Sequence, residues 1–151
     1  MDNIESNKID QMLSEFKIID TQINDNVKAI YGKHEVWRRI KDYDNYSISS
    51  FGRVRNDDTD RILKPQKKNT TGYHFVRLYK KGKKKNHYIH RLAGIAFLSN
   101  HDNKPKVDHI DEDKTNNNII NLRFATVSQN SFNKSKQKNK RTIFCMTISY
   151  V

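Results

Sequence analysis

The stretch Val107–Asn130, VDHIDEDKTNNNIINLRFATVSQN, decides the fold of this 151-residue chain. An apolar residue leads into an adjacent aspartate and histidine, as at the end of a strand. A run rich in asparagine follows, and asparagine suits loops because its amide bonds to nearby backbone. Residues 121–124 resume an apolar alternation, and Thr126 or Ser128 is a candidate N-cap for a helix. The predicted order is strand, long loop, strand, helix.

The same stretch carries side chains that phosphodiester hydrolysis needs. The reaction uses a base for water, a cation for the developing charge and a group that stabilises the leaving oxygen. Histidine, with a pKa of about 6.5, can deprotonate water at neutral pH, and His109 offers this group. Asp108 and the asparagines offer oxygen ligands for a hard cation such as Mg²⁺. An Asp–His pair is also common as a structural contact, so the residues alone allow both interpretations.

The pattern VDHID-x(4)-NN-x(3)-NLR-x-AT-x(3)-N resembles the ββα-metal motif of HNH endonucleases, in the phage and intron-encoded homing branch. The resemblance implies that His109 is the general base and that Asp108 is a metal ligand. It implies that Asn121 braces the loop and orients the histidine, and that Asn130 is the second metal ligand. One divalent ion, Mg²⁺ or Mn²⁺, is implied as the cofactor, with no small-molecule cofactor.

A second resemblance lies upstream. The pattern ExW at 35–37, followed by YxISxxGRVR at 46–55, is similar to the N-terminal module often attached to such nucleases. The pattern HRLAxxAF at 90–97 resembles the helix that precedes the nuclease core. The two resemblances together cover about residues 35–135.

The chain is therefore expected to be an α+β protein. It would have an N-terminal amphipathic helix, a small antiparallel β-sheet module and a ββα-metal (His-Me finger) nuclease core. The expected boundaries are 1–34 for the helical extension, 35–88 for the β-rich DNA-binding module, 89–135 for the nuclease core and 136–151 for a basic linker and tail.

The N-terminal segment and the β-rich segment differ in pattern. Apolar residues spaced by three and four over residues 7–30 predict a helix, which either packs on the body of the protein or binds a partner or a second copy. The sequence sets no oligomeric state. In residues 35–98, short aromatic and β-branched runs separated by turn residues predict antiparallel hairpins, and RLAGIAFL at 91–98 predicts a short helix.

Basic residues are unevenly distributed along the chain. The net charge is +12 with a pI of about 9.8, which is typical of a nucleic-acid binder. Residues 35–106 hold 18 basic against 7 acidic residues, whereas residues 107–130 hold 2 against 4. Basic flanks suit phosphates and an acidic centre suits a cation. The candidate contacts to double-stranded DNA are Arg38, Arg39, Arg53, Arg55, Lys80, Lys81, Lys83, Lys84, Lys85, Lys134, Lys136 and Lys138. The lysine run at 80–85 also fits a merely solvated hairpin tip.

The sequence departs from the family pattern at one turn. Relatives of this kind carry glycine after DHID, whereas Glu112 stands there in this chain. A tight turn at that point would force a side chain into a conformation that favours glycine. The single cysteine, Cys145, excludes a CxxC zinc site.

Membrane and secretory signals are not expected. No apolar run approaches the roughly 20 residues of a membrane span, and the polar start MDNIESNKIDQ lacks a signal peptide's apolar region. An intracellular location is expected, cytoplasmic or nuclear or of viral or mobile-element origin. The apolar ending at 142–151 predicts a terminal strand or an altered C-terminus.

Two classes of function follow. The first is a metal-dependent DNA endonuclease of the HNH homing type that leaves 5′-phosphate and 3′-OH ends. The alternative is a catalytically weak or inactive DNA-binding remnant of such a nuclease. An RNA-binding protein is a third class, but the chain lacks a GFGF-like RNP1 run.

Overall fold

A long helix opens the fold. The computed structural model describes residues 3–128, without the side chains of residues 3–10, 13, 16, 17, 19 and 20. Helix α1 spans Asn3–Tyr31, so the predicted helix is confirmed. Its C-terminal part packs on the body through Val27 and Tyr31, and the Asn24 amide bonds to the backbone of Ser99.

The β-rich segment forms two antiparallel sheets. The first has four strands in chain order: β1 Trp37–Ile40, β2 Tyr43–Ser49, β3 Val54–Asn56 and β4 Arg61–Ile62. The second has three: β5 Gln66–Lys67, β6 His74–Lys80 and β7 Lys83–Tyr88. Pro65 lies at the break between them, and proline has no amide hydrogen with which to continue a ladder.

The β6–β7 hairpin closes on the two residues Lys81 and Gly82. Their φ angles are 49° and 73°, and two successive positive φ angles are the signature of a type I′ turn, which matches the twist of the flanking strands. The five candidate lysines of this hairpin are all exposed. The lysine run therefore forms a protruding tip, as either interpretation of the sequence expected.

A short helix and a strand pair complete the described part of the chain. Helix α2 spans Ile89–Phe97, β8 spans Lys106–His109 and β9 spans Leu122–Ala125. A 3-10 turn at Ile119–Asn121 ends the loop between β8 and β9. The chain becomes helical again at Val127. The predicted order of strand, loop, strand and start of a helix is thus observed.

One hydrophobic core joins these elements. Ile48 and Val54 from the first sheet, Leu78 from the second and Leu122 from β9 belong to the same buried cluster. Helix α2 contributes Ile89, Ala93 and Phe97 to it and lies against strands of all three sheets. The core therefore fixes the strand pair that carries the candidate site relative to the upstream module. Within residues 3–128, no helix has the length and apolarity that crossing a membrane requires.

Candidate active site

Asp108 and His109 lie at the end of β8. In the ladder with β9, Asp108 pairs with Arg123 and His109 pairs with Leu122. Successive side chains along a strand point to opposite faces. Because β8 ends at His109, this alternation does not strictly apply to the pair. Both residues are buried, with 8% and 3% of their surface exposed. A buried acid and a buried imidazole thus occupy consecutive positions at the end of β8.

The turn after β8 is tight. The amide of Glu112 donates to the carbonyl of His109 at 3.2 Å, and the amide of Ile110 donates to the carbonyl of Asn121 at 2.8 Å. Glu112 has a φ of 66°, in the left-handed region where a Cβ is costly. The turn that glycine makes in relatives of this kind therefore closes here with a strained glutamate.

Replacing Glu112 with glycine is expected to stabilise the protein. Relief of the left-handed Cβ strain outweighs the extra chain entropy of glycine at such positions, so the free energy of unfolding should rise by about 0.5–1 kcal/mol. Glu112→Ala is the matched control, because it removes the carboxylate and keeps the Cβ. Urea denaturation of the three proteins is the measurement, and a gain shared equally by both variants would contradict backbone strain as the cause.

Asn121 braces the loop between the two strands. Its Oδ1 accepts from the amide of Asp111 at 2.9 Å, and its Nδ2 donates to Asp111 Oδ1 at 2.7 Å and to the carbonyl of Asn116 at 2.9 Å. Burial opposes ionisation of Asp111, but hydrogen bonds from Asn116, Asn121 and the Asp113 amide outweigh it and lower the pKa. The three bonds of Asn121 all go to the loop, which matches the bracing part of its implied role.

His109 meets a different asparagine. Its Nε2 lies 3.3 Å from Oδ1 of Asn117, which is also buried. Burial lowers the pKa of His109, and the Asn117 bond and the charges of Asp111, Asp108 and Asp113 offset only part of this effect. The ring is therefore neutral at pH 7 and able to accept a proton.

Aromatic rings enclose His109 on the side of the upstream module. Tyr73 stacks on it with ring centroids 5.8 Å apart, and His90 lies 5.1 Å away. Tyr73 also packs on His90 at 4.6 Å. Burial, and then the charge of Asp108, raise the pKa of Tyr73. This wall excludes water from one face of the imidazole.

His90 is a buried histidine without a partner at Nδ1 among the described residues. It is 5% exposed, and burial, followed by repulsion from His109 and Arg91, lowers its pKa to about 3. Buried polar atoms usually have a partner. The lowered pKa keeps the ring of His90 neutral at pH 7. The neutral ring forms part of the aromatic wall beside His109.

Because of His90, the free energy of unfolding is expected to decrease as the pH is lowered. The pKa of about 3 in the folded state lies below the value of about 6.5 in the unfolded chain. The unfolded chain therefore binds more protons between these pH values, so stability is complete above pH 6.5 and is lost as pH falls towards 3. At pH 5 the loss is about 2 kcal/mol. His90→Phe, which keeps a ring without a titrating nitrogen, should remove it.

Urea denaturation at pH 7 and pH 5 measures this effect. The difference in unfolding free energy between the native protein and His90→Phe should shift by about 2 kcal/mol in favour of the variant at pH 5. His101→Phe is the control, because His101 is exposed and its replacement should give no such shift. A constant difference between the native protein and His90→Phe would rule out His90 as the source.

Asp108 is held by a cation from the opposite strand. Arg123 donates through Nε at 3.3 Å and Nη2 at 3.0 Å to the same carboxylate oxygen, Oδ2. The arginine is about half exposed, whereas the aspartate side chain is 10% exposed. The pair fixes the orientation of the carboxylate at the edge of the site.

The donor chemistry of the site fits a hard divalent cation. Asp108 supplies a carboxylate, and carboxylate and amide oxygens are ligands that Mg²⁺ and Mn²⁺ accept. The second implied ligand, Asn130, lies outside the described residues. Within residues 3–128, no three His, Cys, Asp or Glu side chains are grouped as a metal site. Of the two ligands that the resemblance implies, Asp108 is the one that lies within residues 3–128.

The candidate DNA contacts differ in their surroundings. Arg39 and the hairpin lysines are exposed. Arg38 bonds to the carbonyl of Ala96 and to the hydroxyl of Tyr31. Arg53 is paired with Glu35, and Arg55 with Asp57 and Asp60. Lys134, Lys136 and Lys138 lie outside the described residues. The exposed group at the hairpin thus presents the clearest positive surface.

Three residues of the site escaped sequence reasoning. The sequence motifs gave Tyr73 and His90 no role in the site, and Asn117 was one of several asparagines in the loop. Tyr73 and His90 lie far from His109 in sequence, so no local pattern indicated that they contact it. The position of His90 at the head of a motif-bearing helix was the one available signal.

Comparisons with known proteins match two parts of the chain. Residues 35–79 match the NUMOD4 motif, and residues 87–132 match the model of the HNH endonuclease family. An uncharacterised HNH endonuclease of Acanthamoeba polyphaga mimivirus is 37% identical over 101 residues, which cover 67% of this chain and 30% of that protein. The DNA endonuclease I-HmuI of Bacillus phage SP01 is 37% identical over 99 residues, covering 65% of this chain and 56% of that enzyme.

A solved structure is also similar. It concerns DNA binding and cleavage by the HNH homing endonuclease I-HmuI, and it matches with a TM-score of 0.63 and 36% identity over 68% of this chain and 59% of that one. This chain thus spans between about a third and three fifths of the length of these relatives. The strand pair and the loop fall within the HNH match, and residues 35–79 of the upstream module fall within the NUMOD4 match. The resemblance that the sequence motifs indicated is thus confirmed within residues 35–132, where residues 35–79 match the NUMOD4 motif and residues 87–132 match the HNH endonuclease family.

Proposed function

We propose that the chain is a metal-dependent endonuclease that hydrolyses phosphodiester bonds of double-stranded DNA. The observation that carries the proposal is the neutral, buried imidazole of His109 beside the Asp108 carboxylate at the end of β8. This arrangement provides a base and a cation ligand at one point. The similarity to HNH endonucleases supports the same activity.

The proposed chemistry assigns one role to each side chain. His109 takes a proton from the water molecule that attacks phosphorus. Tyr73 and His90 form an aromatic wall that keeps bulk water from the face of the His109 ring that they cover. Asp108 and Asn130 would hold one Mg²⁺ or Mn²⁺ ion. Such an ion, when bound, neutralises charge on the phosphate and on the leaving 3′-oxygen. The products would carry 5′-phosphate and 3′-OH ends. Asn121 keeps the loop closed around the site.

Cleavage of supercoiled plasmid tests this proposal. The full chain should nick or linearise the plasmid with Mg²⁺ or Mn²⁺, and EDTA should abolish the reaction. Ligation with and without phosphatase treatment would then verify the 5′-phosphate ends. Tight DNA binding without cleavage in either metal would reject the nuclease and favour the DNA-binding remnant. The relatives come from a virus and a phage, so we propose that the enzyme acts inside cells and has a viral or mobile-element origin.

DNA binding is proposed to use the lysines at the β6–β7 hairpin tip. Replacing Lys83 and Lys85 with glutamine should weaken binding and reduce the slope of log K against log salt by about 2, because each phosphate contact releases about one counterion. Lys33→Gln with Lys41→Gln removes the same charge from other exposed positions and is the control. Fluorescence anisotropy over a salt series is the measurement. Equal slopes for both double variants would show that the hairpin acts only through net charge.

A further inference from the structure

Asn117 is the side chain that the structure places on the imidazole of His109. Its Oδ1 lies 3.3 Å from His109 Nε2, and only 6% of the residue is exposed. The asparagine to which the family resemblance gave the orienting role, Asn121, instead makes its three bonds to the loop. Bracing the loop and contacting the base are therefore tasks of two different residues.

The direction of the Asn117 amide determines where the His109 ring carries its proton. Asn117 Nδ2 donates to the carbonyl of Thr115 at 2.9 Å, and a carbonyl oxygen can only accept. The amide oxygen must then be the atom that faces His109. Because that oxygen is also only an acceptor, Nε2 of the neutral ring must carry the hydrogen. The lone pair of the imidazole is left on Nδ1.

The upstream β-rich module, residues 35–88, holds the backbone of Asn117 in place. The amide of Ile119 donates to the carbonyl of Ser50 at 2.8 Å. A Cβ placed on Gly52 would lie 2.6 Å from Asn117 Cβ and 2.8 Å from its carbonyl oxygen. The turn between β2 and β3 therefore lies directly against the loop. The contact with Gly52 and the bond from Ile119 to Ser50 together set the position of the Asn117 backbone.

We propose that Asn117 is the positioning residue of His109, which it holds as the Nε2–H tautomer so that Nδ1 is the atom that accepts the proton. This inference rests on the proposed nuclease function, since it assigns the atom that acts in it. The Thr115 carbonyl orients the amide, and the Gly52 turn holds its backbone in place. A ring without this bond would populate both tautomers and would be able to rotate.

The tautomer is measured directly by NMR on the full chain labelled with ¹⁵N-histidine, without DNA or metal. Long-range ¹H–¹⁵N spectra should show a protonated, pyrrole-type Nε2 and an unprotonated, pyridine-type Nδ1 for His109, assigned by their loss in His109→Gln. Asn117→Ala should convert these signals towards averaged values. Asn117→Asp keeps an acceptor for Nε2–H but loses the bond to the Thr115 carbonyl, so it should restore the native signals only in part.

Asn118→Ala is the matched control. Asn118 is the adjacent loop asparagine and caps the 3-10 turn through a bond from the Ile120 amide, so its loss disturbs the same loop without touching His109. Its spectrum should keep the native tautomer. A native Nδ1–H tautomer, or native signals in Asn117→Ala, would overturn the inference whether or not the chain cleaves DNA.

Kinetics give a second, separate readout. In Asn117→Ala, kcat should fall by about 10- to 100-fold with little change in KM, as part of the roughly 10²–10⁴ that a positioned base contributes. Asn117→Asp should recover part of kcat, and Asn118→Ala should retain most of it. An inactive native chain would reject the proposed function and leave the tautomer result to decide the inference. An active native chain with unchanged kcat in Asn117→Ala would overturn the inference alone.

Discussion

Replacing His109 with glutamine is expected to lower the rate of DNA cleavage by about 10²- to 10⁴-fold, which is the usual contribution of a general base. Glutamine keeps much of the volume and polarity of the buried ring but cannot accept a proton at neutral pH. Plasmid cleavage under single-turnover conditions, with DNA affinity measured in parallel, is the test. Affinity should stay near the native value, because His109 is not among the basic residues proposed to contact phosphate.

Two controls separate chemistry from folding in this experiment. His101→Gln changes an exposed histidine and should cleave at the native rate. The urea midpoint of His109→Gln should show that the variant is folded at the assay temperature. If folded His109→Gln cleaved at more than about a tenth of the native rate, the proposed base would be wrong.

Replacing Gly52 with alanine is expected to be among the most destabilising single-methyl changes in the protein. Gly52 has a φ of 79°, which costs about 1–2 kcal/mol for a residue with a Cβ. The added methyl would also overlap the Cβ and carbonyl oxygen of Asn117, and overpacking of this kind costs about 1–3 kcal/mol. The free energy of unfolding should therefore fall by about 2–5 kcal/mol.

Gly82→Ala supplies the matched comparison. Gly82 has a similar φ of 73°, but an added Cβ there would meet no atom within 4 Å. Its cost should be limited to the backbone part, about 1–2 kcal/mol. The difference between the two variants in urea denaturation measures the contact between Gly52 and the Asn117 loop. Equal losses would show that the loop yields to the methyl group and that the module does not hold Asn117 rigidly.

Local patterns were enough to predict most of the secondary structure. The spacing over residues 7–30 predicted α1, and the short aromatic and β-branched runs of residues 35–98 predicted hairpins such as β6–β7. The division of the β-rich segment into two sheets was not predicted, because the local pattern of short alternating runs is the same in one sheet or in two. The break depends on Pro65 and on how α2 packs against the strands.

The candidate site, too, could be predicted only in part. Asp108, His109 and Asn121 lie within one short motif, and their mutual placement follows from a strand, a loop and a strand that are joined in sequence. The proposed ligand Asn130 and the basic residues at 134–138 lie beyond Ser128, so those assignments stay predictions. The internal pairing of Arg53 with Glu35 could not be predicted, because it depends on the fold of the turn between β2 and β3.

The proposed class of chemistry was predictable from the sequence, because the acid, the imidazole and the asparagine that bonds to the loop lie at fixed spacing in one motif. The sequence also marked the turn at Glu112 as a departure from the family pattern, and the structure then showed that the turn closes there with a positive φ. The groups that surround the His109 imidazole became known only from the tertiary structure. Tyr73, just before β6, and His90, in α2, reach His109 across a long sequence distance, and Asn117 lies in close contact with Gly52. Such neighbours follow from packing across long sequence distances, and residue spacing carries no information on contacts of that kind.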